Sequence, residues 1–153
     1  MQRVSRRAVL LTTLAAGTLG LVRGSVAQTP PTGRRIALKG YDPVAYFEEA
    51  QPQKGDETLW FAFDDAVYLF KSAEHRAKFM ADPERYAPQY AGFCAGGVSK
   101  GYKVEPDPEA WAIINGKLFV FEFKERVPAF KQDTAFIDKA SSNWPGLKDT
   151  PIR

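Results

Sequence analysis

The chain has 153 residues, 13% of them aromatic, a formal charge of +3 at neutral pH and one cysteine. Such a length suits one domain with one modest core, and a lone thiol excludes an internal disulfide staple. The positive charge is local: residues 1–27 hold Arg3, Arg6, Arg7 and Arg23 and no acid, so the remainder carries −1. A basic surface for nucleic acid or anionic lipid is thereby excluded as the basis of function.

The first feature in chain order is this leader. Residues 8–22 are weakly apolar and diluted by Thr12, Thr13, Gly17, Thr18 and Gly20, short of the ~20 strongly apolar residues that span a bilayer. A cationic start, an apolar middle and the small residues Ser25-Val26-Ala27 match an export signal cleaved before Gln28. Ser5-Arg6-Arg7-Ala8-Val9-Leu10 resembles the twin-arginine consensus, an address read by a receptor and not an anchor. The expectation is a periplasmic or otherwise exported protein with no stable membrane insertion after cleavage. Residues 28–39 then read as a flexible lead-in, 40–146 as the domain and 147–153 as a tail.

Asp42-Pro43 predicts a short helix through Tyr46 and Phe47, with the carboxylate capping free amides and Pro at a position that needs no N–H. Leu59–Phe63 and Val67–Phe70 are aromatic and β-branched runs around Asp64-Asp65-Ala66, a hairpin pattern. Ser72 is placed to cap a helix from Ala73 to Ala81, which Asp82-Pro83 ends and restarts. The small residues around Cys94 allow close backbone approach or unusual dihedrals, with a helical turn over residues 95–100. Asp107-Pro108 predicts another short turn ending near Trp111. Asn115-Gly116 between Ala112–Ile114 and Lys117–Phe121 is the residue pair of a type I′ hairpin. Phe130, Ile137 and Trp144 recur every seven residues, with Phe136 and Ala140 beside them, which predicts a C-terminal helix with one apolar stripe. The fold class that follows is α+β: two antiparallel β-hairpins forming a small sheet, packed with short helices and a C-terminal helix.

Ligating side chains are scarce beyond the leader: His75, Met80 and Cys94, one of each. Blue copper, which needs two histidines with a cysteine, and a closed Cys/His zinc site of four such ligands are both excluded. A hydrolase triad with further histidines is excluded too, leaving a single Cys–His pair. His75 falls at the third position of its predicted helix, where the dipole disfavours an imidazolium and favours the neutral, ligating ring. One turn on lies Phe79, so a histidine half-exposed against that ring is the competing reading. Cys94 at a helix start would be a favoured thiolate, whereas a small-residue setting equally suits a buried, inert thiol. Tyr41, Tyr46, Tyr86 and Tyr90 could lend phenols to a polar pocket with Asp42, or simply line the core. Met80 reads as core. The adjacent pairs Glu48-Glu49 and Asp64-Asp65 read as surface charge, because chain neighbours point to different sides.

Gly40-Tyr41-Asp42-Pro43-Val44-Ala45-Tyr46-Phe47, Tyr68-Leu69-Phe70-Lys71-Ser72, Phe79 and Asp82-Pro83-Glu84-Arg85-Tyr86 together resemble the YHS domain. Pro88-Gln89-Tyr90-Ala91-Gly92-Phe93-Cys94-Ala95 and Asn143-Trp144-Pro145 are similar to its longer, exported members. The resemblance implies a small module associated with metal binding, copper first. Ala45, Lys71 and His75 stand where the cysteine-bearing form of that module has thiols, so only His75 keeps a ligating group there.

The leading expectation is a periplasmic binding module that is not an enzyme and handles a soft metal ion, copper first, in metal handling or sensing. His75 and Cys94 would be its ligands, and a periplasmic protein its further partner. Two alternatives stand beside it: a protein-interaction domain with an inert thiol, and a thiol-dependent enzyme with Cys94 as nucleophile and His75 as base.

Overall fold

The computed structural model describes residues 29–153, so the leader read from the sequence lies outside the described residues. The chain enters on β1 (Arg35–Ile36), turns tightly through residues 37–40 and reaches α1 (Ala45–Glu48). The first hairpin is β2 (Asp56–Phe63) and β3 (Ala66–Phe70). Three short helices follow: α2 (Ala73–Ala81), α3 (Pro83–Tyr86) and α4 (Ala95–Ser99). The second hairpin, β4 (Asp107–Ile114) and β5 (Lys117–Phe121), precedes α5 (Val127–Gln132) and α6 (Phe136–Leu147). The architecture is α+β, with each hairpin in a sheet of its own. β3 is the centre of one, antiparallel to β2 and parallel to β1, and β4–β5 make the other. No helix among the described residues is long and apolar enough to cross a membrane.

Local chemistry explains the turns. Asp64 and Asp65 have φ of 44° and 62°, and Asn115 and Gly116 have 52° and 74°. Two successive positive φ values give the hairpin turn whose twist matches the flanking strands. α2 starts where the Ser72 hydroxyl accepts the His75 amide at 3.1 Å, meeting one of the donors a helix start leaves free.

Two groups of buried side chains fill the domain. In one, Phe79 of α2 is fully buried with its ring centroid 5.0–6.2 Å from those of Phe61, Phe63, Tyr68 and Phe70. Truncating it to alanine would cost about 3–5 kcal/mol. The other gathers Phe93, Cys94, Phe119, Phe121, Phe136 and Ala140. β5 divides them: Leu118 and Val120 face the first group, Phe119 and Phe121 the second. The two-residue alternation of a strand is used here on both faces.

Several expectations are corrected. Asp107-Pro108 opens a strand and not a turn: Asp107 pairs with Phe121, and an irregularity between Asp107 and Trp111 accommodates the proline, which has no N–H to give a ladder. The single C-terminal stripe is split between α5 and α6, because Asp133 takes an extended conformation and its carboxylate accepts the Ala135 amide at 3.0 Å. Met80 is 48% exposed and so lies outside the core. The folded part starts ahead of Gly40, since β1 pairs with β3 and Ala37 and Leu38 are wholly buried. The tail also packs, with Ile152 bridging Lys103.

Candidate functional site

Asp42 carries the polar centre of the domain. It is fully buried and both of its oxygens are hydrogen-bonded. Oδ1 accepts the Val44 amide at 2.8 Å, as an Asx turn does; Oδ2 accepts the Lys71 amide at 2.9 Å and pairs with His75 Nδ1 at 2.7 Å. One carboxylate therefore ties the loop before α1, the end of β3 and the first turn of α2. A buried charge is tolerable when it is hydrogen-bonded in this way.

The ring orientation of His75 follows from its partner. An ionised carboxylate only accepts, so Nδ1 carries the proton and the neutral ring turns its Nε2 lone pair outward. Nε2 lies 3.6 Å from Glu49 Oε1. Glu49 sits at the end of α1 and is held by the Lys71 ammonium. That hydrogen bond keeps its carboxyl below the ordinary carboxylate range. Around this trio, Glu48 accepts from Lys78 at 3.0 Å and from the Tyr86 hydroxyl at 3.1 Å.

A histidine braced by a carboxylate on one nitrogen, with the other directed at a second oxygen donor, is the arrangement that supports metal-binding imidazoles. A divalent ion bonded to both atoms at ~2.0–2.2 Å requires them to be no more than about 4 Å apart, and 3.6 Å meets that limit. Lys71 opposes it as a competing cation, although its side chain is 36% exposed and free to leave toward water. No set of three or more His, Cys, Asp or Glu side chains among the described residues is placed to hold an ion. An ion held there by His75 and Glu49 would need water or an outside ligand for its remaining donors.

The other sequence candidates are dispersed. Cys94 is 5% exposed and stands directly before α4; its amide bonds to Val104 O and its carbonyl accepts Val98 N, both at 3.0 Å. Among the described residues no hydrogen bond or ion pair joins it to His75; it packs in the other core group and lines a small cavity with Lys100, Glu122 and Arg126. Cys94 is a buried free thiol. The Tyr46 hydroxyl donates to the Pro108 carbonyl at 3.0 Å, and burial first, then Glu109, raises its pKa, so it stays a neutral strut between α1 and β4 of the second hairpin. Tyr90 contacts Ile137 O and Ser141 Oγ at 3.3 and 3.2 Å, and Tyr41 lies beneath the Lys54 ammonium. Of the residues expected to share a pocket, the structure brings Asp42 to His75 and leaves Tyr41, Tyr46 and Tyr90 in separate settings. Glu49 was missed as surface charge. No local sequence pattern links it to Asp42, which lies in the loop before α1 while Glu49 follows the helix.

No protein-family model, curated protein or solved structure matches the chain.

Proposed function

We propose that the chain is an exported, non-catalytic binding module of the YHS type that takes up a copper-type ion at His75, with Glu49 as the second protein donor. The observation that carries this reading is the Asp42–His75 hydrogen bond of 2.7 Å, which leaves Nε2 facing Glu49. Imidazole with carboxylate suits divalent copper above zinc in the usual order of affinities. Cys94 takes no part in this site, because it lies in the other core group, where it lines a small cavity with Phe121 and Phe130 beside Lys100, Glu122 and Arg126. The enzymatic alternative needs His75 as the base of that thiol, and His75, on α2, is instead tied to Asp42, which does not favour that alternative. The leader, read as a twin-arginine signal, supports a location outside the cytoplasm.

Titration of copper(II) and zinc into the purified protein tests the proposal. His75→Ala abolishes saturable uptake, Glu49→Gln weakens it about tenfold, and Cys94→Ser leaves it unchanged. Uptake that survives His75→Ala, or that vanishes with Cys94→Ser, overturns the assignment. No saturable uptake by the unaltered protein overturns the metal reading and leaves the protein-interaction domain as the alternative.

A further inference from the structure

A second polar feature lies away from His75. A cavity of about 180 Å³ opens between the β2–β3 turn, the segment before Cys94 and the C-terminal tail, and its lining includes Phe93, Trp144, Ala66 and Ile152. Three cations also line it: Arg35, Lys103 and Lys148.

They are not equivalent. Arg35 is fully committed, with its guanidinium paired to Glu105, donating to the carbonyls of Ala91 and Gly92 at 2.7 and 3.1 Å, and stacked 3.8 Å above the Phe93 ring. It forms part of the wall. Lys148 reaches Asp64 at 3.9 Å from a half-exposed position. Lys103 differs from both. It is 6% exposed, its ammonium donates only to the Lys148 carbonyl at 2.7 Å, and no carboxylate pairs with it among the described residues. The ammonium sits 5.2 Å from the Phe93 ring centroid, on the cavity's aromatic wall. An ammonium has three donors, and a buried cation without a counter-charge is costly to keep.

We propose that this cavity binds a small organic monoanion, a carboxylate on a compact aromatic or branched apolar body, with Lys103 as its charge partner. Size, walls and charge all point to that class. A cavity of roughly 150 Å³ holds a benzene ring, so 180 Å³ leaves room for little more than a ring and its carboxylate. Trp144, Ala66 and Ile152, with the edge left by Phe93, supply apolar wall for the body. Asp64 and Asp65, which also line the opening, repel a second negative charge and so select a monoanion over a dianion. Neither His75 nor Glu49 lines the cavity, so the site stands independently of metal uptake.

Sodium benzoate is the probe, titrated into chelator-treated protein while the Trp144 indole N–H is followed by NMR. The expected result is saturable binding in the millimolar range, about tenfold weaker for neutral benzamide and about tenfold weaker in Lys103→Met. Absence of saturation, equal affinity for benzamide, or full affinity in a folded Lys103→Met variant overturns the proposal. Should that variant fail to fold, the benzoate–benzamide comparison on the unaltered protein decides alone.

Discussion

Asp42→Asn keeps side-chain volume and removes one charge, which makes it the sharpest probe of the polar centre. Three donors converge on the carboxylate: the Val44 amide at 2.8 Å, the Lys71 amide at 2.9 Å and His75 Nδ1 at 2.7 Å. Asparagine has one carbonyl oxygen, which can keep the Val44 bond. Its –NH2 then faces two donors. The imidazole adapts by moving its proton to Nε2; the Lys71 amide cannot, and stays buried against another donor. An unsatisfied buried donor costs about 1–3 kcal/mol, and hydrogen bonds to a charged group contribute about 1.5–3 kcal/mol each. The expected net loss is about 3 kcal/mol, a large part of the 5–15 kcal/mol that typically separates folded from unfolded chains. Urea unfolding followed by tryptophan fluorescence measures it. Two-bond 1H–15N spectra of the imidazole, taken at alkaline pH where the ring is neutral, should show the proton on Nδ1 in the wild type and on Nε2 in the variant. A loss below about 0.5 kcal/mol, or a wild-type ring protonated on Nε2, would refute the reasoning.

Three further outcomes are expected. Tyr68→Phe removes a buried hydroxyl without a protein partner and should raise stability by up to about 1 kcal/mol; a fall in the urea midpoint would show that the hydroxyl is satisfied after all. Gly55→Ala would set a Cβ 2.6 Å from the Leu69 carbonyl carbon, where main chain cannot yield, so a loss of about 2–3 kcal/mol is expected in the same assay. Hydrogen bonds from Lys78, Lys71 and Thr58 hold Glu48, Glu49 and Asp56 below their ordinary carboxylate range. A depressed folded-state pKa contributes stability that is complete above the unfolded value and lost as pH falls through the folded one. The urea midpoint should therefore be flat down to about pH 5 and fall below it, and a midpoint that rises on acidification would contradict the pairing.

Legibility in the sequence tracked the range of the interactions. α2 appears with the bounds that Ser72 and Asp82-Pro83 suggest, and both hairpin turns sit at their acidic and Asn-Gly pairs, because caps and turns are decided within four residues. Asp107-Pro108 carries the same local signal as Asp42-Pro43, yet pairing with β5 draws it into a strand. Tertiary contact overrode the local preference there, as strand propensity commonly allows. His75 was visible as a residue but not as half of a pair, since Asp42 lies 33 positions earlier. Lys103 gave no signal at all: one lysine resembles any other until the tail and Phe93 close over it.

β5 is one residue thick, and both hydrophobic interiors press on it from opposite sides. Such a shared partition leaves neither half able to melt while its neighbour stands. A hole cut on the Phe119 side should loosen amide protection around Phe79 as much as around Ala140. Heat or urea should accordingly dismantle the body in one step, with Trp60, Trp111 and Trp144 reporting the same midpoint.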